Sequence, residues 1–326
     1  MRYTIYLGGV ILIPLFLCQY KKSKDRDVEK TTAISSDDLM VSEKIALGRA
    51  LFFDNRLSIN NEVSCASCHI PELAFTDGKK VSIGVAGRTT QRNSPSLLNA
   101  ALLPTVMFDA HLPTLEQQVI VPIQEHVEMD MNMLELIKKL RKVDRYQKAA
   151  KQIFNREFDA WVLTRAISAY ERSLVSNNAP FDRYYNQKEQ GALTESQKNG
   201  WKLFSEKLYC TQCHAAPNFT NFEAINNGMY NDFGNDKGRF RIFNDSTDIG
   251  KFKVPSLRNI VLTAPYMHDG SLHSLDDVIN HYVAGGSSHI NKDIRIVPFS
   301  LSENERTDLK NFLSSLTDTS YMIDYR

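Results

Sequence analysis

Apolar residues along this chain recur mostly at three- and four-residue intervals, the period of a helix with one buried face. In DAWVLTRAISAYERSL, Val162, Ala166, Ile167, Tyr170 and Leu174 fall on one side, which predicts a helix packed along that stripe. SENERTDLKNFLSSL repeats the pattern with Leu309, Phe312 and Leu313, and Ser302 with Glu305 forms a capping box that fixes its start. A helix from about Leu275 to Tyr282 is begun by Ser274 with Asp277, and Tyr282 shares a face with Val278 and Ile279, so it points inward. Thr194 and Gln197 make a further capping box ahead of GWKLFS. Alternation in steps of two is scarce, so the fold class is mainly α, with long loops.

The amino terminus departs from this pattern. Arg2 precedes the apolar run YLGGVILIPLFL, too short to cross a bilayer with ease but suited to an export signal, and residues 1–18 are read as one. Cys18 closes the run and is a candidate lipid anchor, as in a lipoprotein; Leu17 stands where such signals usually carry a small residue, and removal of Cys18 with the signal is the alternative. Residues 19–38 read as a polar linker. Beyond it, GRALFF (Gly48–Phe53) and GWKLFS (Gly200–Ser205) match at Leu51 with Leu203 and Phe52 with Phe204, each ahead of a cysteine motif, which marks two related cytochrome-like modules. The helical period breaks in SNNAPFDRYYNQKEQGA, so a boundary is placed near residues 186 to 192, giving domains 39–188 and 189–326.

Charge excludes one class of partner: the net charge of +1 offers no concentrated basic surface, which argues against nucleic acid. The cysteines supply the chemistry. CASCH (Cys65–His69) and CTQCH (Cys210–His214) are two copies of Cys-x-x-Cys-His; at this chain's residue frequencies a random cysteine would begin the pattern roughly 4 times in 10,000. Two thiols at this spacing add to the two vinyl groups of one haem, while the next residue places an imidazole under the iron. Zinc is the rival, but it needs four ligands gathered at one ion, and the two clusters lie 145 positions apart. Two covalent c-type haems are therefore expected, on Cys65 and Cys68 with His69, and on Cys210 and Cys213 with His214.

With those motifs, AFTDGKKVSIGVAGR, RNSPSLLNA, LEQQVIVPIQEHVEM, VPSLRN and LTAPYMHDGSLHSLDDVINHY, the chain resembles the bacterial dihaem cytochrome c peroxidase family, which includes the MauG-type enzymes, over about residues 40 to 320. The resemblance implies a peroxidatic haem on the amino-terminal module and an electron-transfer haem on the carboxy-terminal one, with His69 and His214 as proximal ligands. It puts Glu128 at the distal acid position, with Gln118 and Pro122 beside it. Moving a proton between the two oxygens of a peroxide suits a carboxylate in a poorly solvated pocket; by itself Glu128 also reads as a solvated helix-end acid. His126 is a weaker rival for the base. The resemblance further implies hydrogen peroxide as substrate, a small c-type cytochrome or similar electron donor, a periplasmic location, homodimers in many relatives, and one Ca²⁺ held by Asn93 and the carbonyls of Thr263 and Pro265. Asn93 alone also reads as a turn cap. His268 and Asp269 are expected to hydrogen-bond around the second haem.

Three positions bear on mechanism. Val85 stands where many of these peroxidases carry a blocking histidine, and valine cannot ligate iron, so an open sixth site is expected in the oxidised enzyme. Phe108 stands at the inter-haem tryptophan; its ring is far harder to oxidise, which puts a side-chain radical relay there in doubt and leaves direct tunnelling, or plain core packing, as its role. The axial position of the second haem falls on Tyr282, the residue type of MauG-type enzymes, where ordinary relatives have methionine; Met267 is the competing ligand. A phenolate would lower the haem potential. Reduction of peroxide is therefore the leading expectation, and oxidation of a protein substrate through high-valent iron is the alternative.

Overall fold

The computed structural model describes residues 39–325; the leader, Cys18 and the polar linker lie outside the described residues. Within them the helices are α1 (Leu39–Phe52), α2 (Leu115–Gln118), α3 (Ile120–Gln124), α4 (Met133–Leu140), α5 (Asp144–Phe154), α6 (Ala160–Ser173), α7 (Pro180–Tyr185), α8 (Glu195–Lys202), α9 (Phe240–Phe243), α10 (Leu275–Val283) and α11 (Glu303–Ser314). Strand β1 (Ala224–Ile225) pairs antiparallel with β2 (Phe252–Lys253), Ala224 opposite Lys253. The capping boxes form as expected: Thr194, Ser274 and Ser302 accept from the backbone N–H three residues on, and Gln197, Asp277 and Glu305 reach back to the cap. Asp159 caps α6 by accepting from the Val162 N–H.

Two hydrophobic clusters organise the chain. The first joins Leu47, Leu51 and Phe52 of α1 to Val162, Leu163, Ala166, Ile167 and Tyr170 of α6, with Leu136 and Leu140 of α4. The second joins Leu203 and Phe204, just after α8, to Leu309, Phe312 and Leu313 of α11 and to Phe181 of α7. Leu174 is the last member of the first cluster before the chain enters the second at Phe181, and Tyr321 returns to the first.

Each cluster is built on one helix crossing, and a glycine sits at each. A Cβ on Gly48 would stand 1.9 Å from the Ala166 carbonyl oxygen of α6; one on Gly200 would stand 2.0 Å from the Asp308 carbonyl oxygen of α11 and 2.7 Å from Phe312 Cβ. Backbones this close leave room for no side chain, which is why GRALFF and GWKLFS both open on glycine.

A second repeat, displaced by 160 positions, follows the haem motifs. Asn99 and Asn259 are left-handed (φ 60° and 59°) and each starts a short tight turn, Ala100–Leu102 and Ile260–Leu262. Met107 and Met267 are left-handed at 70° and 72°; Val106 bridges Leu112 as Tyr266 bridges Leu272; Thr114 caps α2 as Ser274 caps α10. Both asparagines reach the linker between the clusters. Asn99 exchanges hydrogen bonds with the Ser176 backbone (2.8 and 2.9 Å), while Asn259 donates to Ser176 Oγ (2.8 Å) and accepts from the Asp318 N–H (2.8 Å).

Candidate active site

The two histidines are held alike. After the turn Cys65–Ser67, the His69 N–H donates to the Cys65 carbonyl at 3.0 Å and His69 Nδ1 lies 2.8 Å from the Phe75 carbonyl. After Cys210–Gln212, His214 donates to Cys210 at 2.8 Å and its Nδ1 lies 2.9 Å from the Phe219 carbonyl. Phe75 and Phe219 are both left-handed (φ 59° and 53°), which turns these carbonyls back onto the rings. A carbonyl can only accept, so Nδ1 carries the hydrogen and the lone pair is left on Nε2. Burial lowers both imidazole pKa values and keeps the rings neutral. Two thiols beside an imidazole fixed in its ligating tautomer is a donor set that fits a covalent c-type haem at each motif. Ser94 steadies the first by donating to the Cys68 carbonyl at 2.7 Å.

Burial raises the thiol pKa values of Cys65 and Cys68, and the charge of Glu128 adds a smaller rise to both, so Glu128 lies within electrostatic reach of the first cysteine pair; burial, with the like charge of Glu125, pushes its own carboxyl up to about 7. The loop that holds it depends on Gly84, where a Cβ would stand 2.1 Å from the Val127 carbonyl oxygen, and on Val85, whose N–H donates to the Glu128 carbonyl at 2.8 Å. The Val85 side chain is buried in the first cluster. Gln118 Oε1 is buried with no hydrogen-bond partner among the described residues, so it lacks the acceptor role that buried oxygens normally fill. Pro122 is the middle residue of α3, the helix after the one that carries Gln118, and its carbonyl accepts from the Met129 N–H at 3.2 Å. His126 is instead exposed, contacting Arg88 Nη1 (2.7 Å) and Asp130 (3.2 Å), a surface cluster away from burial.

On the second motif Tyr282 and Met267 converge. Asn227 Nδ2 lies 3.4 Å from Tyr282 Oη and 3.4 Å from Met267 Sδ, and burial, with Cys210 and Cys213 nearby, raises the phenol pKa. The sequence reading overlooked Asn227; the NNG turn around it was its one signal. Of the calcium candidates, Asn93 donates from its backbone to the His268 carbonyl (2.8 Å) and from Nδ2 to the Lys79 carbonyl (2.7 Å); Thr263 and Pro265 lie in the turn before Met267. Among the described residues no three acidic, His or Cys side chains gather as a metal cluster, so an ion there would rest on neutral oxygens.

Between the two motifs, Arg92 grips Asp236 through two bonds (2.6 Å each) and pairs with the buried Asp109 at 2.9 Å; its guanidinium lies 5.9 Å from the Phe108 ring and 5.3 Å from Phe252. The Phe108 carbonyl accepts from the Lys253 N–H at 2.7 Å. His268 stacks on Phe252, with ring centroids 3.7 Å apart, and Asp269 accepts from Tyr230. A further buried acid went unnoticed in the sequence: Glu171 of α6, whose Oε2 has no hydrogen-bond partner among the described residues, whose charge is felt by Cys65, and whose pKa burial pushes up to about 8. Among the described residues no helix is long and apolar enough to cross a membrane.

Comparison with known proteins adds an independent finding. A family model described as di-haem cytochrome c peroxidase matches residues 42–190. The methylamine utilization protein MauG of Methylorubrum extorquens is 38% identical over 85% of this chain and 79% of its own length. Cytochrome-c peroxidase IdrP1 of a Pseudomonas species is 33% identical, covering 87% of this chain and 83% of that one. Among solved structures, a MauG-like protein associated with microbial copper homeostasis superposes with a TM-score of 0.79 at 35% identity, covering 86% of this chain and 91% of the other.

Proposed function

We propose that this chain, which belongs to the di-haem cytochrome c peroxidase family, acts in the periplasm and reduces hydrogen peroxide to water with electrons from a small c-type cytochrome or similar carrier. Covalent haems on Cys65, Cys68 and His69, and on Cys210, Cys213 and His214, supply the redox-active iron when bound. The first module, residues 39–188, is the peroxidatic one, and the second, 189–326, receives electrons.

The observation that carries this reading is the desolvated carboxyl of Glu128, close enough to the first cysteine pair for its charge to act on both thiols and tuned to about 7. At that pKa the group is ionised often enough to take a proton from one peroxide oxygen and acidic enough to return it to the other, so that the departing oxygen leaves as water. Gln118 Oε1, lacking a protein partner, accepts the remaining peroxide O–H and orients the molecule. Pro122 offers neither an N–H nor a ligating side chain, and Val85 is apolar and buried, so neither competes with peroxide for its place. Tyr282, held by Asn227, is the side chain that would ligate the iron of the second haem, with Met267 the lesser candidate. One Ca²⁺ is assigned to Asn93 and the Thr263 and Pro265 carbonyls; with its Nδ2 spent on Lys79, Asn93 presents its carboxamide oxygen. An amino-terminal export signal agrees with covalent haem attachment outside the cytoplasm, and Cys18 stands as its lipid-anchor candidate.

The second reading, oxidation of another protein, is favoured by Tyr282, because a phenolate ligand makes a poor acceptor of electrons from an ordinary cytochrome c. Steady-state assay of the dihaem protein with hydrogen peroxide and reduced cytochrome c separates the two. Rapid peroxide-dependent oxidation supports the peroxidase; negligible turnover with a long-lived oxidised spectrum overturns it in favour of the second reading.

A further inference from the structure

We propose that Tyr230 is a redox-active side chain, which gives one electron to the peroxide-oxidised haem pair as its phenolic proton passes to Asp269. The proposal rests on the peroxidase reading above. The phenol Oη donates to Asp269 Oδ2 at 2.5 Å, and the Tyr230 ring meets His268 edge-on at 6.3 Å. His268 in turn stacks on Phe252 at 3.7 Å and 17°, and the Arg92 guanidinium joins Phe252 to Phe108. A continuous chain of π systems thus links an oxidisable phenol to position 108, where the ring present resists oxidation. The two tryptophans stand elsewhere, Trp161 on α6 against Arg156 and Arg165, Trp201 packed against the second cluster.

A phenol losing an electron becomes a strong acid, so the step needs a base already at hydrogen-bond distance. Tyr266 has only the Ile260 carbonyl at 3.2 Å, which is too weak a base. Tyr146 also meets a carboxylate, Asp54, at 2.5 Å, but Asp54 is gripped by Arg56, and the Arg56 and Arg145 guanidiniums lie 5.5 and 4.8 Å from the Tyr146 ring, so positive charge opposes both electron loss and proton acceptance there. Asp269 has no Lys or Arg ion pair among the described residues; besides Tyr230 it is held by Ser271, through its side chain and its N–H at 3.2 Å. The step balances: the phenol becomes a neutral radical, Asp269 becomes a neutral acid, and the electron goes toward peroxide, whose reduction to two waters takes two electrons and two protons. In turnover the electron donor supplies two electrons, one toward peroxide and one that reduces the radical; solvent supplies the two protons for peroxide, and reduction of the radical returns the Asp269 proton to the phenol.

The test is freeze-quench electron paramagnetic resonance of the oxidised dihaem protein mixed with hydrogen peroxide without donor, carrying ordinary or ring-deuterated tyrosine. A tyrosyl signal that narrows on deuteration is expected, lost in Y230F, diminished in D269N and kept in Y146F, with haem content and resting optical spectrum unchanged. A tyrosyl signal that survives Y230F overturns the proposal, as does a haem spectrum that responds to peroxide with no tyrosyl at any time. Haem bands that ignore peroxide overturn the peroxidase reading and this one with it. If Y230F fails to take up both haems, D269N decides: an unchanged signal overturns the proposal.

Discussion

Glu128→Gln preserves side-chain size and removes proton exchange, so it isolates what the carboxyl does. Ionising Glu128 in place is harder than in water because burial leaves the charge poorly solvated and Glu125 adds like charge; the shift from 4.5 to about 7 corresponds to about 3 kcal/mol. The resulting group is about half ionised at neutral pH, where a general base works best. Stopped-flow measurement of the reaction of oxidised enzyme with peroxide across pH should give a rate that falls about tenfold per unit below a midpoint near 7, since the ionised form does the work. In E128Q the rate should drop roughly a hundredfold to ten-thousandfold and this acid limb should vanish. Stability supplies a second readout with a definite sign. The folded state binds the proton more tightly than the unfolded chain, so the Glu128 contribution is present below about 4.5 and is lost as pH rises to about 7; E128Q should flatten that slope. An acid limb that persists at the same midpoint in E128Q, or a variant as fast as wild type, would show that another group moves the proton.

Three further outcomes are expected. Tyr282→Met replaces a hard anionic donor by thioether sulfur and should raise the potential of the second haem, read by redox titration, with faster reduction by cytochrome c; an unchanged potential would show that Tyr282 is not the ligand. Gly200→Ala should destabilise by about 1–3 kcal/mol in denaturant titration despite alanine's better helix propensity, because its Cβ would stand 2.0 Å from the Asp308 carbonyl oxygen. Glu171→Gln should make the protein more stable at pH 8 and above by up to about 5 kcal/mol and leave stability near pH 4 unchanged, because a carboxyl held at about 8 in the fold binds its proton through a range where the unfolded chain has lost it.

What was legible in the sequence was what chemistry or local geometry fixes at short range. The haem motifs are spelled by the reach of two thiols and an imidazole around one macrocycle, and the capping boxes at Thr194, Ser274 and Ser302 need only a side chain and the N–H three residues on. The glycines of GRALFF and GWKLFS were visible as a match, but their reason lies in Ala166 and Asp308, more than a hundred residues away. Glu171 reads as one more polar position on an amphipathic helix, and only the packing of α6 shows it buried beside Cys65. Arg92 and Asp236 are 144 positions apart, and no local pattern pairs them. The repeat of 160 positions was spelled in the sequence and overlooked: Pro95, Ser96, Leu97 and Asn99 return as Pro255, Ser256, Leu257 and Asn259, and Met107, Asp109 and Leu112 as Met267, Asp269 and Leu272, while only the structure shows that Asn99 with Asn259 and Met107 with Met267 also share a left-handed φ.

That repeat gives the proposed division of labour a physical basis. One backbone frame is used twice, and the two copies differ at matched positions to which the proposed mechanism gives different tasks. Pro122 in the first copy corresponds to Tyr282 in the second, so the same place holds a residue with nothing to offer a metal in one and a phenol oxygen in the other. Gln118 corresponds to Val278, which puts an unpartnered carboxamide oxygen where peroxide would be oriented and an apolar group where it would not. Phe108 corresponds to His268, and these two sit at opposite ends of the Arg92–Phe252 contact. If this account is right, function should follow the matched pair and not the module: Pro122→Tyr should close the first site toward peroxide, giving it the optical signature of a six-coordinate haem, while leaving the folded frame intact, because the second copy already carries a tyrosine on that frame. A P122Y variant that folds, binds both haems and still reacts with peroxide at the wild-type rate would show that the asymmetry is set elsewhere.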